Sequence, residues 1–391
     1  MKFCIPQSVQ RALDVLTEAG YEAYLVGGCV RDALRGTEPH DYDITTAALP
    51  EQTLAAFRGY RTIETGLRHG TVTVLIDGMP IEITTYRVDG EYADHRRPDE
   101  VHFTSSLTED LARRDFTVNA MAYHPTIGLV DPFMGRDDLL RGIIRAVGEP
   151  MERFSEDALR ILRALRFSAR FDFAIEGKTR EAIFALADTL PLIASERIRE
   201  ELVGLLTADN AERILREYAR VISVVLPQGH LTEAFSRLPA KDVVLRFADV
   251  LLSVGTEGAR AALSALRFDK KTAHSVVAVI SLCKTEIPAD RAQMCRLLRK
   301  VGQNSLRQAF TLRRAHGMDD SAAMLLMENI LATGFPYTLA MLAVCGEDLV
   351  ALGVARGPRF GELLEILYTA VICGDVDNER EALLAYIRKY I

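Results

Sequence analysis

Asp41 and Asp43 sit two positions apart, about a dozen residues after the glycine pair Gly27 and Gly28 in Tyr24-Leu-Val-Gly-Gly-Cys-Val-Arg-Asp-Ala-Leu. A strand that enters two glycines and leaves as a helix lets backbone N–H groups approach an anion, which suits a triphosphate. Read as strand residues, Asp41 and Asp43 project from one face. Carboxylates held side by side repel each other unless a divalent cation sits between them. Glu82, between Ile81 and Ile83 whose side chains face the other way, is a candidate third carboxylate. Three carboxylates suggest Mg²⁺ chemistry, in which one ion activates an RNA 3′-hydroxyl and a second holds the triphosphate during in-line attack. Each signal has a plainer reading: an ordinary turn at the glycines, a solvated turn at Asp-x-Asp, an open sheet face at Glu82. Their order along the chain is what makes the combination specific.

Two arginine-bearing strings follow. In Leu111-Ala-Arg-Arg-Asp-Phe-Thr-Val-Asn-Ala, Arg113 and Arg114 are candidates for phosphate, because a planar guanidinium offers phosphate oxygens two parallel hydrogen bonds. Asp115 and Asn119 are candidates for an arginine or a sugar hydroxyl, and a surface cluster with a helix cap is the alternative. In Phe154-Ser-Glu-Asp-Ala-Leu-Arg-Ile-Leu-Arg-Ala-Leu-Arg-Phe, Ser155 is the expected helix cap, and Asp157 and Arg160 share a helix face that Arg163 and Arg166 continue. Such a stripe serves as an intrahelical salt bridge or as a reader of base edges. Cytosine and adenine each pair an exocyclic amino donor with an unprotonated ring nitrogen. A carboxylate accepts from the first and an arginine donates to the second, whereas guanine and uracil leave both groups opposed.

The elements that must hold these residues divide the chain in two. Gln7 to Ala19 has helical spacing, Tyr21 to Val26 reads as a strand, and Val30 to Leu34 resumes a helix. Thr71 to Ile76 and Ile81 to Tyr86 alternate around an Asp77-Gly78 turn. From about Leu139 the strand signal fades into helical spacing, interrupted at Pro191, at Pro227 to Gly229, at Pro288 and at Gly317. The fold class is therefore α+β: a small mixed sheet with helices, then an elongated all-helical remainder.

The chain has 391 residues, 49% hydrophobic and 26% charged, which favours a folded protein of several domains. No uncharged apolar run is long enough for a membrane span, no signal-peptide pattern opens the chain, and a cytoplasmic location is expected. The six cysteines are scattered without metal-site spacing. A net charge of −7 conceals a local excess between Arg291 and Arg314, where Arg296, Arg299, Lys300, Arg307, Arg313 and Arg314 occur with no acidic residue. These are candidate RNA contacts, with a solvated helix face as the alternative.

Taken together the motifs resemble the class II tRNA nucleotidyltransferase and bacterial poly(A) polymerase family, within the polymerase-β-like nucleotidyltransferases. The resemblance is carried by Gly27-Gly28-x-Val30-Arg31-Asp32 with Asp41-x-Asp43, by Thr65-Gly-Leu-Arg-His-Gly-Thr-Val-Thr-Val, and by Arg113-Arg-Asp-Phe-Thr-Val-Asn-Ala. Further matches are Asp131-Pro-Phe to Arg145, with Met134 where a smaller residue is usual, Glu156-Asp157-x-x-Arg160, and Ser195-Glu-Arg-Ile-Arg-Glu-Glu-Leu. It implies a catalytic head over 1–138, a base-recognising neck over 139–205, and a helical body over 206–300 and tail over 301–391 that hold tRNA. It implies Asp41, Asp43 and Glu82 as catalytic, with Mg²⁺ on the first two. Nucleotide contacts would come from Gly27, Gly28, Arg31, Arg114, Asp115, Asn119, Asp157, Arg160, Arg163 and Arg166. The implied substrates are CTP, ATP and the 3′ end and acceptor arm of tRNA, with no membrane or protein partner. The stretch from Arg87 to His102 lies where members that add a complete CCA carry a flexible loop. Poly(A) synthesis remains the nearest alternative; a small-molecule nucleotidyltransferase and a non-catalytic RNA-binding protein are more distant ones.

Overall fold

The computed structural model describes residues 3–89 and 101–391; most of the expected flexible loop lies outside the described residues. The chain forms two compact units, Met1–Pro227 and Gln228–Ile391.

In the first unit, strands β1 (Ala23–Val26), β2 (Asp43–Thr46), β3 (Arg61–Ile63), β4 (Thr71–Ile76) and β5 (Met79–Thr85) are joined later by β8 (Ala122–His124) and β9 (Gly128–Val130), after the two-stranded pair β6 (Arg87–Asp89) and β7 (Val101–Phe103). The seven-stranded sheet has the order β3-β4-β5-β2-β1-β8-β9. Within this sheet, among the described residues, only β2 and β5 pair in parallel; their register sets Asp43 beside Glu82 and Ile44 beside Ile83. Side chains alternate across a strand, so buried Ile44, Ile81 and Ile83 face one side and the two acids the other. Helices α1 (Gln7–Glu18) and α3 (Pro50–Ala56) lie against β4 and β5. Val9, Ala12, Leu13 and Leu16, spaced three and four apart, are the buried stripe of α1. Truncating Leu13 to alanine there would cost about 2–5 kcal/mol.

Helix α2 (Gly28–Leu34) follows β1, and α4 (Leu107–Ala112) follows β7 with Ser106 accepting the Glu109 N–H as its N-cap. Helix α5 (Gly135–Arg141) begins after Met134, which holds φ 60°, a left-handed conformation that costs a side-chain-bearing residue about 1–2 kcal/mol. Asp131 fixes that turn by accepting the N–H groups of Gly135 and Arg136. A Cβ on Gly135 would lie 2.1 Å from the Thr117 carbonyl oxygen, so the residue after Met134 has room for hydrogen alone.

Beyond α5 the chain is largely helical, as its spacing predicts, with one departure. β10 (Ile143–Ile144) and β11 (Ala174–Ile175) form a short parallel pair. The helices are α6 (Pro150–Glu156), α7 (Leu159–Phe171), α8 (Gly177–Leu186), α9 (Ser195–Leu206), α10 (Ala211–Glu217) and α11 (Ala219–Val225). Pro191 falls inside a 3₁₀ turn rather than in a break.

Among its described residues the second unit has helices and no strands: α12 (Val243–Val250), α13 (Gly255–Ala265), α14 (Lys270–Cys283), α15 (Arg291–Ala315), α16 (Ser321–Ala332), α17 (Gly346–Ala351), α18 (Pro358–Cys373) and α19 (Arg380–Ile387). Met294, Leu298, Leu306 and Phe310 of α15 pack with Leu363 and Leu367 of α18 in its core. Gly302, at φ 77° and ψ 157°, kinks α15. Among the described residues, no helix is long and apolar enough to cross a membrane.

Candidate active site

Strand β1 ends at Val26, and Gly27 turns the chain with φ 72° and ψ −127°, a conformation that favours glycine. A Cβ there would lie 2.9 Å from Nη1 of Arg114, so the bare backbone also makes room for that guanidinium. Gly28 then opens α2.

Asp43 is the first residue of β2, and Asp41 lies two residues before it, outside the strand. The expectation that both are strand residues is corrected: pairing with β1 starts only at Asp43, opposite Val26. Burial raises the Asp43 carboxyl above its ordinary value, the charge of Glu82 raises it further, Arg114 opposes this, and Asp41 adds to it. Glu82 is exposed and stands beside Asp43 across the sheet, yet it does not line the cavity that holds Asp41 and Asp43. Among the described residues no three His, Cys, Asp or Glu side chains gather as a metal site.

From this floor a chain of polar contacts runs into the helices. Arg31 is buried; its Nη1 donates to Oδ1 of Asn119 at 2.6 Å, and its Nε and Nη2 donate to the Asp32 carboxylate. Asn119 donates to Oδ1 of Asp115 at 3.0 Å, and Arg163 donates to Oδ2 of Asp115 at 2.8 Å. Arg163 lies 3.8 Å from Glu201, which accepts from Arg166 at 2.5 Å. Although burial opposes it, Arg163 together with the Asn119 and Phe116 N–H donors holds the Asp115 carboxyl down at about 2. Asp110, fully buried, accepts from Arg113 and Arg114 and thereby aims both arginines. Burial lowers the Arg114 guanidinium despite that partner.

At the other end, Ser155 does not cap α7. It sits inside α6 and donates to the Met151 carbonyl, while Asp157, extended between α6 and α7, accepts the Leu159 N–H through Oδ1. Asp157 and Arg160 therefore do not share a helix face; the break at Asp157 frees its carboxylate from the helix surface. Arg197 of α9 donates to Oδ2 of Asp157 at 2.8 Å. Arg160 is buried and donates to the carbonyls of Arg153 and Arg113 and to Glu156, which fix the plane of its guanidinium.

These side chains surround one cavity of about 770 Å³. It is lined by Gly27, Gly28, Asn119 and Phe167, by nine arginines (Arg31, Arg87, Arg113, Arg114, Arg160, Arg163, Arg166, Arg170, Arg197) and by four aspartates (Asp41, Asp43, Asp115, Asp157), a formal excess of five positive charges. Such a wall attracts a polyanion and repels free cations. Of the residues expected at the site, all but Glu82 meet here. Sequence reasoning missed Arg87, Arg170 and Arg197. Only Arg197 carried a signal, inside the Ser195-Glu-Arg-Ile-Arg-Glu-Glu-Leu string. A separate cavity of about 600 Å³, lined by Phe3, Cys4, Pro6, Tyr42 and others, contains none of these arginines.

The basic run of α15 is less open than its sequence suggests. Arg313 is buried, donating to the carbonyls of Leu282 and Thr285 and pairing with Asp320 at 2.6 Å. Its expected role on the surface is corrected: it is a packing residue. Arg299 pairs with Glu365 and Arg307 with Glu328, and Arg296 approaches the Cys373 sulfur at 4.0 Å. Lys300 and Arg314 are exposed.

Residues 23–145 match the family model described as poly A polymerase head domain. Residues 172–221 match the probable RNA and SrmB-binding site of polymerase A, and residues 241–387 match tRNA nucleotidyltransferase domain 2. A protein of Leuconostoc mesenteroides named CCA-adding enzyme is 35% identical over 404 aligned positions, covering 99% of this chain and 98% of that protein. One of Streptococcus agalactiae with the same name is 36% identical over 420 positions, covering 99% and 98%. The crystal structure of the Bacillus stearothermophilus CCA-adding enzyme in complex with CTP superposes with a TM-score of 0.81 at 32% identity, over 98% of this chain and 97% of that one. The Thermotoga maritima CCA-adding enzyme, solved with tRNA, shares the fold at a TM-score of 0.66 and 22% identity, over 99% and 96%.

Proposed function

The chain belongs to the CCA-adding enzyme family, and on that premise we propose which side chains of the arginine-lined cavity carry template-independent addition of C, C and A to the 3′ end of tRNA. The observation that carries the reading is one cavity holding Asp41 and Asp43 beside the glycine turn and Asp157 and Arg160 at another wall.

CTP or ATP enters with its triphosphate toward Gly27, Gly28 and Arg31. Its sugar lies along Arg114, Asp115 and Asn119, and its base reaches Asp157 and Arg160. The Asp157 carboxylate accepts from the exocyclic amino group, and Arg160 donates to the ring nitrogen. GTP and UTP leave these groups unpaired at about 1–3 kcal/mol each. Arg163 and Arg166, tied to Asp115 and Glu201, keep that wall in place.

Asp41 and Asp43 fit a divalent cation: burial first, and then the like charge of Glu82 and Asp41, raises the Asp43 carboxyl, and bound Mg²⁺ would offset both the desolvation and the repulsion. Held there, Mg²⁺ would supply Lewis acidity to the α-phosphate and to the attacking 3′-hydroxyl. Glu82 supports the site from the neighbouring strand. Residues 1–138 then serve catalysis and 139–205 base recognition, while 206–300 and 301–391 hold tRNA, with Lys300 and Arg314 as exposed cations. Transfer RNA and nucleoside triphosphates are cytoplasmic solutes, and the reading places the enzyme with them.

The test is incubation with Mg²⁺, CTP, ATP and tRNA ending before the CCA. The product should grow by C, C and A and stop, and Asp41→Ala or Asp43→Ala should abolish growth. A long A tract, or full activity in either variant, overturns the reading.

A further inference from the structure

Two guanidinia beside the end of α7 have no role in the scheme above. Arg35, which ends α2, and Arg170, in the last turn of α7, are both exposed. Both lie over the ring of Phe171, at 4.4 and 5.4 Å from its centroid. Among the described residues, neither donates a side-chain hydrogen bond nor enters an ion pair. Their neighbours differ in this respect. Arg31 is bound to Asp32 and Asn119, and Arg166 is bound to Glu201. Burial, then the like charges of Arg31, Arg166 and Arg35, lowers the Arg170 guanidinium against the pull of Asp32. Unpaired cations crowded in this way are relieved by an anion placed among them.

Position indicates which anion. Arg170 lines the same cavity as Gly27, Gly28 and Asp43. Helix α2 leads from Gly28 to Arg35, a span of about 10 Å at about 1.5 Å per residue. In an in-line displacement the 3′-hydroxyl approaches the phosphorus from one side and pyrophosphate departs on the other. With the triphosphate at the glycine turn, the phosphates beyond the α-phosphorus can extend within this cavity to Arg170, which meets Arg35 over Phe171.

Resting on the function proposed above, we infer that Arg35 and Arg170, stacked on Phe171, form a polyphosphate subsite that takes the terminal phosphates of the nucleotide and the pyrophosphate product. Phe171 is itself stacked on Phe167, with centroids 5.7 Å apart and planes at 6°, which steadies the surface under both guanidinia.

The test compares the parent with an Arg35→Ala/Arg170→Ala double variant on tRNA lacking its CCA. It measures product inhibition by inorganic pyrophosphate and the KM for CTP. Loss of two charge-assisted contacts should raise the pyrophosphate Ki by about tenfold or more. A KM for CTP that rises alongside means the subsite is used before chemistry; a change in Ki alone means that only the product uses it. An Arg35→Lys/Arg170→Lys variant, which keeps the charge but not the planar fork, should fall between, and it carries the test if the alanine pair lowers the melting temperature. Unchanged Ki and KM for CTP, or an effect confined to the KM for tRNA, overturns the subsite alone. A parent enzyme that extends no tRNA overturns the functional reading and the subsite with it.

Discussion

Arg197 donates to Oδ2 of Asp157 at 2.8 Å, while Oδ1 of the same carboxylate accepts the Leu159 N–H at 3.1 Å. The carboxylate is therefore aimed from two sides, and under the proposed function Arg197 would position the base-reading carboxylate. Arg197→Ala should narrow the preference for CTP and ATP over GTP and UTP by about tenfold, the worth of one charge-assisted hydrogen bond. Single-turnover incorporation of all four nucleotides checks this, and parental ratios would refute it.

The two proposed base readers differ in what else they hold. Arg160 is buried on the carbonyls of Arg113 and Arg153 and on Glu156. Arg160→Ala should lower unfolding stability by about 3 kcal/mol as well as relax base choice. Asp157→Ala should relax base choice at a smaller loss, because it gives up one cap contact to Leu159 and one partly exposed pair with Arg197. Urea denaturation of the two variants and the parent separates the effects; an Arg160→Ala midpoint equal to the parent's would mean that the Arg160 contacts contribute nothing to the fold.

Asp115 supplies a pH signature. Its carboxyl titrates at about 2 in the folded protein, below its value of about 3.9 in an unfolded chain. Its contribution, about 2.5 kcal/mol, is complete above the unfolded value and is lost as pH falls from about 4 through about 2. Asp115→Asn should thus be less stable than the parent at pH 7, and the gap should narrow near pH 2.5. A gap independent of pH would show that the Arg163 pairing is not its source.

For α15, the expected RNA contacts divide by their partners. Replacing exposed Lys300 and Arg314 with alanine should flatten the salt dependence of tRNA binding by about 1.5 in log–log slope. Replacing Arg299 or Arg307, already paired with Glu365 and Glu328, should change it less. Arg313→Ala should instead destabilise the second unit by about 3–5 kcal/mol, because Asp320 is left without its partner. Equal slopes for all variants would remove this helix from the RNA surface.

These cases show what a linear sequence discloses. The glycine turn, the aspartate pair and both arginine strings were legible because each is a local pattern whose chemistry does not depend on distant packing. Asp41 fell outside the strand because pairing with β1 ends opposite Val26, a limit set by the partner. Asp157 replaces Ser155 as the cap because α6 runs through Ser155 and the break before α7 falls two residues later. Arg87 and Arg170 reach the cavity only through folding, and the acids that neutralise α15 arrive from α16, α18 and the turn before α16, out of sight of a local charge count.

Nine guanidinia around one cavity also constrain anything made to block it. A competitor tight enough to displace a nucleotide must carry several negative charges, and ionised groups cross hydrocarbon only at a cost of several kcal/mol each. An inhibitor intended for living cells would need its anionic groups chemically masked during entry and released inside.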